Sequence, residues 1–375
     1  MLLAFTFCLL FVVYVYALYP LTLYLLARRK SIIAPTVDYV GDISIVLVVC
    51  NEEQSVSRKI QNLQDLEFNG GDKNIIVVDD ASDDTTFKIL SEFTNITVLR
   101  SGHRSGKANG LNLAMKEVAT ELVMMVDCRQ SLELDSLKHL ASWFVGNPKM
   151  GAVSGELMFK PQGGNSFSSG MDGYWRYEKF IRKAEASIAS VPGVTGALYM
   201  LRSSLYEELP ANTLLDDVQV PMVASNKGYR VGFDERAVAW DVPSVCAKKE
   251  KLRKVRTLSG NYQLFFRFPQ WIMPKGHPIW WQFFSHKIAR LLAPLFALAS
   301  FLLACVMCVE GSVLAFFYML AFAGVLLIAP LSARFSVVSK IPLSKLLASF
   351  ITLNWFCILA LVNYFSVTSS GTWKR

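Results

Sequence analysis

The stretch Asn74–Asp84, N-I-I-V-V-D-D-A-S-D-D, decides how the chain is read. Four apolar residues, Ile75 to Val78, run directly into the carboxylates of Asp79, Asp80, Asp83 and Asp84. A continuous β-branched run of this kind reads as a strand buried on both faces, the type found in parallel sheets. Open parallel sheets bind ligands beyond the carboxyl ends of their strands, and Asp79 and Asp80 stand at that end. Asp83, Asp84 and Thr85 offer N-caps to a following helix, Thr86–Phe93. A capped, solvated turn would use the same acids, so the flanking chain decides between a turn and a ligand site.

Working outward, Ile43–Cys50 is a second buried run, ended by Asn51-Glu52-Glu53 and followed by a helical pattern to about Leu66. The turn Asn69-Gly70-Gly71-Asp72 leads into the central strand, and Ile96–Leu99 forms a third. Strand–helix–strand–helix–strand implies right-handed crossovers and a mostly parallel, Rossmann-like α/β sheet. The loop Ser101–Gly110, S-G-H-R-S-G-K-A-N-G, combines three glycines with His103, Arg104 and Lys107, as suits a backbone that approaches an anion closely. It is not a Walker A loop, because Gly106-Lys107 lacks the following Ser/Thr and the glycine spacing, and no G-x-G-x-x-G follows a first strand, which argues against a dinucleotide-binding oxidoreductase. After a helix Leu111–Ala119, the strand Leu122–Val126 ends at Asp127-Cys128-Arg129-Gln130. Two strands thus deliver acids to one edge of the sheet. A hard divalent cation, Mg²⁺ or Mn²⁺, carrying a diphosphate would explain that convergence.

The chain has 375 residues, of which 53% are hydrophobic, and its mean hydropathy is +0.34. The apolar surplus lies at the two ends. Leu2–Leu26 is long enough to cross a bilayer core of roughly 30 Å, and Arg28-Arg29-Lys30 follows it, which predicts an uncleaved anchor with its charged end in the cytoplasm. Residues 31–42 read as a linker. Phe265–Trp281, rich in tryptophan, reads as interfacial, and further membrane helices are expected near 288–309, 312–331 and 346–366. Arg334, Lys340 and Lys345 mark an inner loop; the helix parity puts the C-terminus outside, where Lys374-Arg375 fit the charge rule poorly. No acid or base within these helices suggests an ion pathway, which argues against a transporter. The net charge of +8 fits cytoplasmic loops, anionic lipid and phosphate partners, and no nucleic-acid-binding signature accompanies it. The seven cysteines are scattered, and Cys305-x-x-Cys308 lacks a second pair, so they read as reduced and structural rather than zinc-binding.

The ordered motifs V-V-C-N-E (48–52), V-V-D-D-A-S (77–82), G-K-A-N-G-L-N (106–112), V-D-C-R-Q (126–130), G-V-T-G-A-L-Y (193–199) and L-L-D-D (214–217) resemble those of family 2 glycosyltransferases of GT-A fold. The membrane-anchored group containing cellulose, chitin and hyaluronan synthases is the nearest in flavour, and the resemblance covers roughly Ile43 to Asn261. It implies that Glu52 and Asp79, with Asp80 alongside, contact the nucleoside of a nucleotide-sugar, that Lys107 lies near its diphosphate, and that Asp127 holds the metal. Gly193, Thr195 and Gly196 would form the acceptor-side loop. Asp217, with Asp216 beside it, would be the catalytic base of an inverting transfer. Two departures matter. The usual D-x-D is Asp127-Cys128-Arg129 here, so Arg129 would face phosphate, acceptor or a neighbouring acid. The Q-x-x-R-W of processive synthases is replaced by the basic stretch Lys248–Arg256, where Arg253 or Arg256 would take the diphosphate role and no tryptophan follows to stack on an acceptor.

Between these motifs, Gly151–Phe159 and Leu198–Leu201 read as strands, Gly163–Gly170 as a mobile Gly/Ser-rich segment, Tyr174–Ala189 and Val218–Asn226 as helices, and Gly228–Ala239 as a closing strand pair. The expected organisation is an anchor (1–30), a cytoplasmic GT-A domain (40–265), an interfacial segment (266–287) and about three membrane helices (288–366) in a bacterial plasma membrane. The expected function is transfer of a sugar from a nucleotide-sugar to a lipid-linked or growing glycan in polysaccharide or exopolysaccharide synthesis. Alternatives are a single addition onto a polyprenyl-linked oligosaccharide and a non-catalytic nucleotide-binding subunit. Three late helices are few for a channel, so polymer export would call on a partner or a homo-oligomer.

Overall fold

The computed structural model describes residues 1–30, 34–160, 167–242, 247–335 and 344–366. The chain enters as two helices, α1 (Leu2–Val13) and α2 (Tyr19–Ala27), joined by a π-helical turn Tyr14–Leu18. Pro20 explains that turn: it has no N–H to give the carbonyl four residues back, so the ladder loosens just upstream. Then follow β1 (Ile43–Val49), α3 (Val56–Gln64), β2 (Lys73–Asp79), α4 (Thr86–Ser91), β3 (Thr97–Arg100), α5 (Lys107–Met115), β4 (Leu122–Val126), β5 (Ser131–Leu132), α6 (Ser136–Ser142) and β6 (Met150–Phe159). The second half continues with α7 (Phe167–Ile188), β7 (Leu198–Arg202), α8 (Asp216–Asn226), β8 (Arg230–Asp241) and α9 (Ala247–Arg267). A short helix α10 (Trp280–Gln282) and a π-helical turn Phe283–Ile288 lead into α11 (Ala289–Val309), α12 (Val313–Arg334) and α13 (Ser344–Ser366).

The eight strands form one sheet in the order β3-β2-β1-β4-β7-β6-β8-β5. Strands β1 to β4 are mutually parallel; β7 runs antiparallel between β4 and β6, and β8 is parallel to β6. The sheet is mostly parallel and Rossmann-like, with helices on both faces. Alternate residues of one strand face opposite ways: Ile45, Leu47 and Val49 pack with Val56 and Ile60 of α3 and Leu137 of α6, whereas Val46 and Val48 pack with Leu111 of α5 and Val220 of α8. A one-residue slip would exchange two full sets of buried side chains, so register is strongly specified. That register puts Val49 opposite Asp79 and Leu47 opposite Val126. The acids that end β2 and follow β4 therefore emerge within about two residues of one another along the sheet edge.

Several elements differ from expectation. The strand pair foreseen at Gly228–Ala239 is a single strand, β8, whose two register irregularities against β6 take up its bend. Its far partner is β5, a two-residue strand too short to show a period. The glycine-rich loop ends earlier than its composition suggests, because α5 starts at Lys107 and carries Gly110 inside it. The cause is close packing on β1: a Cβ at Gly110 would stand 2.5 Å from Val48 Cγ1. Of the Gly/Ser-rich segment 163–170, residues 163–166 lie outside the described residues and 167–170 are helical. Parts of the linker (31–33), Lys340 and Lys374-Arg375 also lie outside them.

Three helical spans, Leu2–Ala27, Trp280–Val309 and Leu347–Ser366, are long and apolar enough to cross a membrane, and α12 contributes a shorter apolar stretch, Val313–Ile328. An apolar seam joins this layer to the sheet domain: Leu215, just before α8, and Val218 and Met222 within it pack with Tyr262 of α9, Trp271, Phe283, Leu291 and Ala360. A second seam sets Tyr19 and Leu23 of α2 against Ile181 and Ala184 of α7.

Because α5 rests on β1 through a glycine, Gly110→Ala is expected to lower stability by about 1–3 kcal/mol through overpacking. Thermal unfolding followed by circular dichroism checks this, and pairing the change with Val48→Ala should recover most of the loss.

Candidate active site

The carboxyl edge of the sheet gathers the loops after β1, β2 and β4. The first two are laced together: Asn51 N donates to Ser82 Oγ (2.9 Å), Asp83 N to Asn51 Oδ1 (2.8 Å), and Glu52 N to Thr86 Oγ1 (2.8 Å). Asn51 and Ala81 both have positive φ, 54° and 49°. Such backbone persists only where the surroundings over-determine it. Asp79 is fully buried; its Oδ2 lies 3.3 Å from Arg100 Nε and from Ser82 N, while Oδ1 is buried without a hydrogen-bond partner in the described structure. A buried, orphaned carboxylate oxygen is unusual and marks a place for a donor to arrive. Asp80 is different. Both its oxygens are taken by the next loop, Oδ1 by Ser105 N (2.8 Å) and Ser105 Oγ (3.0 Å), Oδ2 by Gly106 N (2.7 Å). It therefore holds the backbone that launches α5 and Lys107.

Lys107, the first residue of α5, puts its Nζ 2.9 Å from Asp127 Oδ1 and 3.1 Å from Asp216 Oδ2. Burial alone would discharge this ammonium, but Asp127 and Asp216 reverse the effect and hold it charged, with its pKa raised. Asp216 and Asp217 open α8, and Pro221 sits inside that helix. Proline lacks the N–H that would bond the carbonyl four residues earlier, that of Asp217. The freed carbonyl accepts from Val194 N instead (2.8 Å), which docks the loop Gly193–Gly196 onto the start of α8. Thr195 N is held by Ser154 Oγ at 3.0 Å. At Gly196 the elements converge: a Cβ there would lie 3.5 Å from Asp127 Oδ2, 3.5 Å from Lys107 Nζ and 3.6 Å from Asp217 Oδ2. The absent side chain leaves a small space bounded by an ammonium and two carboxylates. Burial, and then the neighbouring charge of Asp216, push the Asp217 carboxyl up to about 6. Its Oδ1 is buried without a hydrogen-bond partner.

The remaining candidates lie around a second carboxylate. Asp241, at the end of β8, is buried and accepts from Gln130 Nε2 (2.9 Å) and pairs with Arg129 (3.3 Å) and Arg253 (3.6 Å). Arg129, Asp241 and Arg253 line a cleft of about 360 Å³ together with Arg58 and Glu250. Arg256 is exposed on α9, outside this cleft. Sequence reading missed Asp241 and Arg58. The rule that flagged Asp127, an acid just past an apolar strand, applies equally to Asp241 but was masked by treating 228–239 as a hairpin. Arg58 carries no sequence signal beyond being one turn into a helix.

Among the described residues, no three His, Cys, Asp or Glu side chains form a metal cage. Mg²⁺ and Mn²⁺ at nucleotide sites need only one or two carboxylates, with phosphate oxygens and water completing the shell. Asp127, with 40% of its side chain exposed, fits that role.

Residues 44–209 match the model of glycosyl transferase family 2. The chain carries a family 2 glycosyltransferase domain. It is 24% identical over 235 residues to a poly-β-1,6-N-acetyl-D-glucosamine synthase of Staphylococcus epidermidis, covering 61% of this chain and 56% of that protein. It is 23% identical over 263 residues to the enzyme of the same name from Staphylococcus aureus, covering 68% and 63%. The alignments thus span less than two thirds of these relatives' length. The fold is similar to that of a mannosyltransferase from Pyrobaculum calidifontis, solved with GDP-Man and Mn²⁺, with a TM-score of 0.72 at 19% identity, covering 97% of this chain and 99% of the other. That similarity covers the apolar helices as well as the sheet domain.

Two outcomes follow from the geometry. Acting as a base, Asp217 would have to be ionised, so turnover should then fall as pH drops through about 6, the value to which it is raised; a pH–rate profile of kcat/KM reports it. Gly196→Ala places its methyl at ordinary contact distance, so melting should be unchanged while the methyl fills the reaction space. A loss of roughly tenfold or more in kcat/KM is expected.

Proposed function

We propose that this glycosyltransferase moves a sugar, with inversion, from a nucleotide-sugar donor to a hydroxyl of a membrane-associated glycan, in polysaccharide or exopolysaccharide synthesis. The observation that carries the reading is the convergence of Lys107, Asp127, Asp216 and Asp217 around the side-chain-free Gly196. An inverting transfer needs a carboxylate on the face opposite the leaving group. The acceptor oxygen attacks the anomeric carbon while its proton passes to Asp217, and the bond from that carbon to the nucleoside diphosphate breaks with its electron pair going to phosphate. Proton removal of this kind contributes roughly 10²–10⁴-fold.

The other residues have roles to match. Asp79, with its orphaned oxygen, and Glu52 beside it receive donors from the nucleoside, and Asp80 supports the loop that presents Lys107. Asp127 would hold Mg²⁺ or Mn²⁺ together with the donor's phosphates, and such a cation, when bound, offsets charge on the departing diphosphate. Arg129 and Arg253, tethered by Asp241, keep positive charge on the donor side where a second metal-binding acid is missing; Arg256 is left for solvent or lipid headgroups. Gly193, Thr195 and Gly196 admit the acceptor. We place the catalytic domain (40–265) on the cytoplasmic side of a plasma membrane, between the anchor (1–30) and the interfacial and membrane-spanning segments (266–287 and 288–366). Arg28-Arg29-Lys30 and the four apolar segments support this. A purely nucleotide-binding subunit has no use for a buried, unpartnered acid at Asp217, so the catalytic reading is favoured.

The test is nucleotide release by the full chain in lipid, over a panel of nucleotide-sugars with Mg²⁺ or Mn²⁺. Turnover with one donor, abolished by chelator and in Asp127→Ala, is expected. Turnover that survives both would transfer the diphosphate role to Lys107 and the arginines.

A further inference from the structure

The loop Gly193–Gly196 is held residue by residue from three elements. Val194 N donates to the Asp217 carbonyl of α8 (2.8 Å), and Thr195 N to Ser154 Oγ of β6 (3.0 Å). The third hold comes from α7: Arg182 Nη2 donates to the Gly193 carbonyl (3.4 Å) and to Ser154 Oγ (2.7 Å). Ser154 is fully buried, and its own proton goes to the Gly155 carbonyl (2.9 Å). A hydroxyl has one proton and two lone pairs, so one lone pair takes Arg182 and the other takes Thr195. The guanidinium also lies over the Phe233 ring at 5.1 Å, which fixes its plane. Lys287 borders the same glycine, with its Cε 3.6 Å from where a Cβ would stand on Gly193.

Helix α7 is itself pinned before and after Arg182. Glu178 meets His286 Nε2 (2.6 Å) and accepts from Arg290 Nη1 (2.8 Å). Glu185 meets His286 Nδ1 (3.0 Å) and accepts from the Tyr19 hydroxyl (2.5 Å). Burial lowers the pKa of Arg182, and the charges of Glu178, Glu185, Asp217 and Glu156 act the other way. Glu156 is paired with Lys179 (2.7 Å), and among the described residues none of these four acids forms an ion pair with Arg182. The hydrogen bonds of Arg182 go to the loop and to the serine that carries it.

We propose that Arg182 is a positioning residue for the transfer: it sets Gly193 directly and Thr195 through Ser154, so that Gly196 keeps the space beside Asp217 open. The inference rests on the reading of Asp217 as the base and of this loop as the acceptor side. Without the guanidinium, the Gly193 carbonyl loses its donor, and the Ser154 hydroxyl is free to turn away from Thr195. Misplacement of reacting groups by about 1 Å can cost roughly 100-fold in rate. None of the hydrogen bonds of Arg182 is made to Asp79, Lys107 or Asp127, so donor binding is left as it was.

The experiment uses the full chain in phosphatidylcholine nanodiscs. Amide hydrogen exchange is read first, because it needs no substrate: Arg182→Met should speed exchange at Val194 and Thr195 by roughly tenfold while the strands of the sheet exchange as before. Nucleotide release is then measured with the donor found by the release screen and expressed per nucleotide-binding site, so that unfolded protein is not counted. Arg182→Met should lower kcat by roughly tenfold or more with the donor KM within about twofold. Arg182→Lys, which keeps the cation and can reach one of the two acceptors, should recover part of the loss. Ser154→Ala removes the shared link while leaving the arginine. If the two residues act through one bond, Arg182→Met with Ser154→Ala should lose no more than the worse single variant. Exchange at Val194 and Thr195 unchanged in Arg182→Met, faster exchange spread over the whole sheet, or single losses that multiply in the double variant would each overturn the proposal. The base reading fails separately, if Asp217→Asn releases nucleotide at the natural rate; the exchange result does not depend on it.

Discussion

The ammonium of Lys107 is the constraint on which the candidate site depends. Asp127, Asp216 and Asp217 come from two distant parts of the chain, and their like charges resist being brought together in a partly buried space. Lys107 lies within ion-pair distance of two of them. Its position follows from packing rather than from charge. Gly110 lets α5 lie against β1, and Asp80 fixes the loop from which α5 starts. Asp217 forms no ion pair among the described residues, and burial, with the neighbouring charge of Asp216, raises its proton affinity. One cation thus holds the acids together and leaves one of them basic.

A second device is the use of missing groups. Pro221 has no N–H, so the Asp217 carbonyl is released from its helix and becomes the anchor for the Gly193–Gly196 loop. Gly196 has no side chain, so that loop passes within van der Waals distance of three charged groups without filling the space among them. Both features put small, rigid backbone beside Asp217 and Asp127. The membrane layer is tied to this region through Leu215 and Val218 at one end of α8 and through the His286 cluster at the other side of the loop.

The sequence by itself determined the sheet and pointed to most of the acids of the candidate site. Runs such as Ile75–Val78 and Leu122–Val126 admit few alternatives, because a short, wholly apolar strand is buried on both faces where helices cover the sheet, as in mostly parallel α/β folds. The acids that follow such runs must then share an edge, so Asp79 and Asp127 were legible from local pattern, and Asp217 from the ordered motifs that resemble family 2 glycosyltransferases. Tertiary structure alone decided which acid does what. Asp79 and Asp80 are adjacent in sequence, yet one keeps an orphaned oxygen and the other is spent on a loop, because alternate residues point to different neighbours. The pairing of Arg129 with Asp241, and the approach of Lys287 to Gly193, arise from contacts across about a hundred residues. A one-dimensional pattern records which side chains a short segment presents, whereas charge pairing depends on what the fold brings to them.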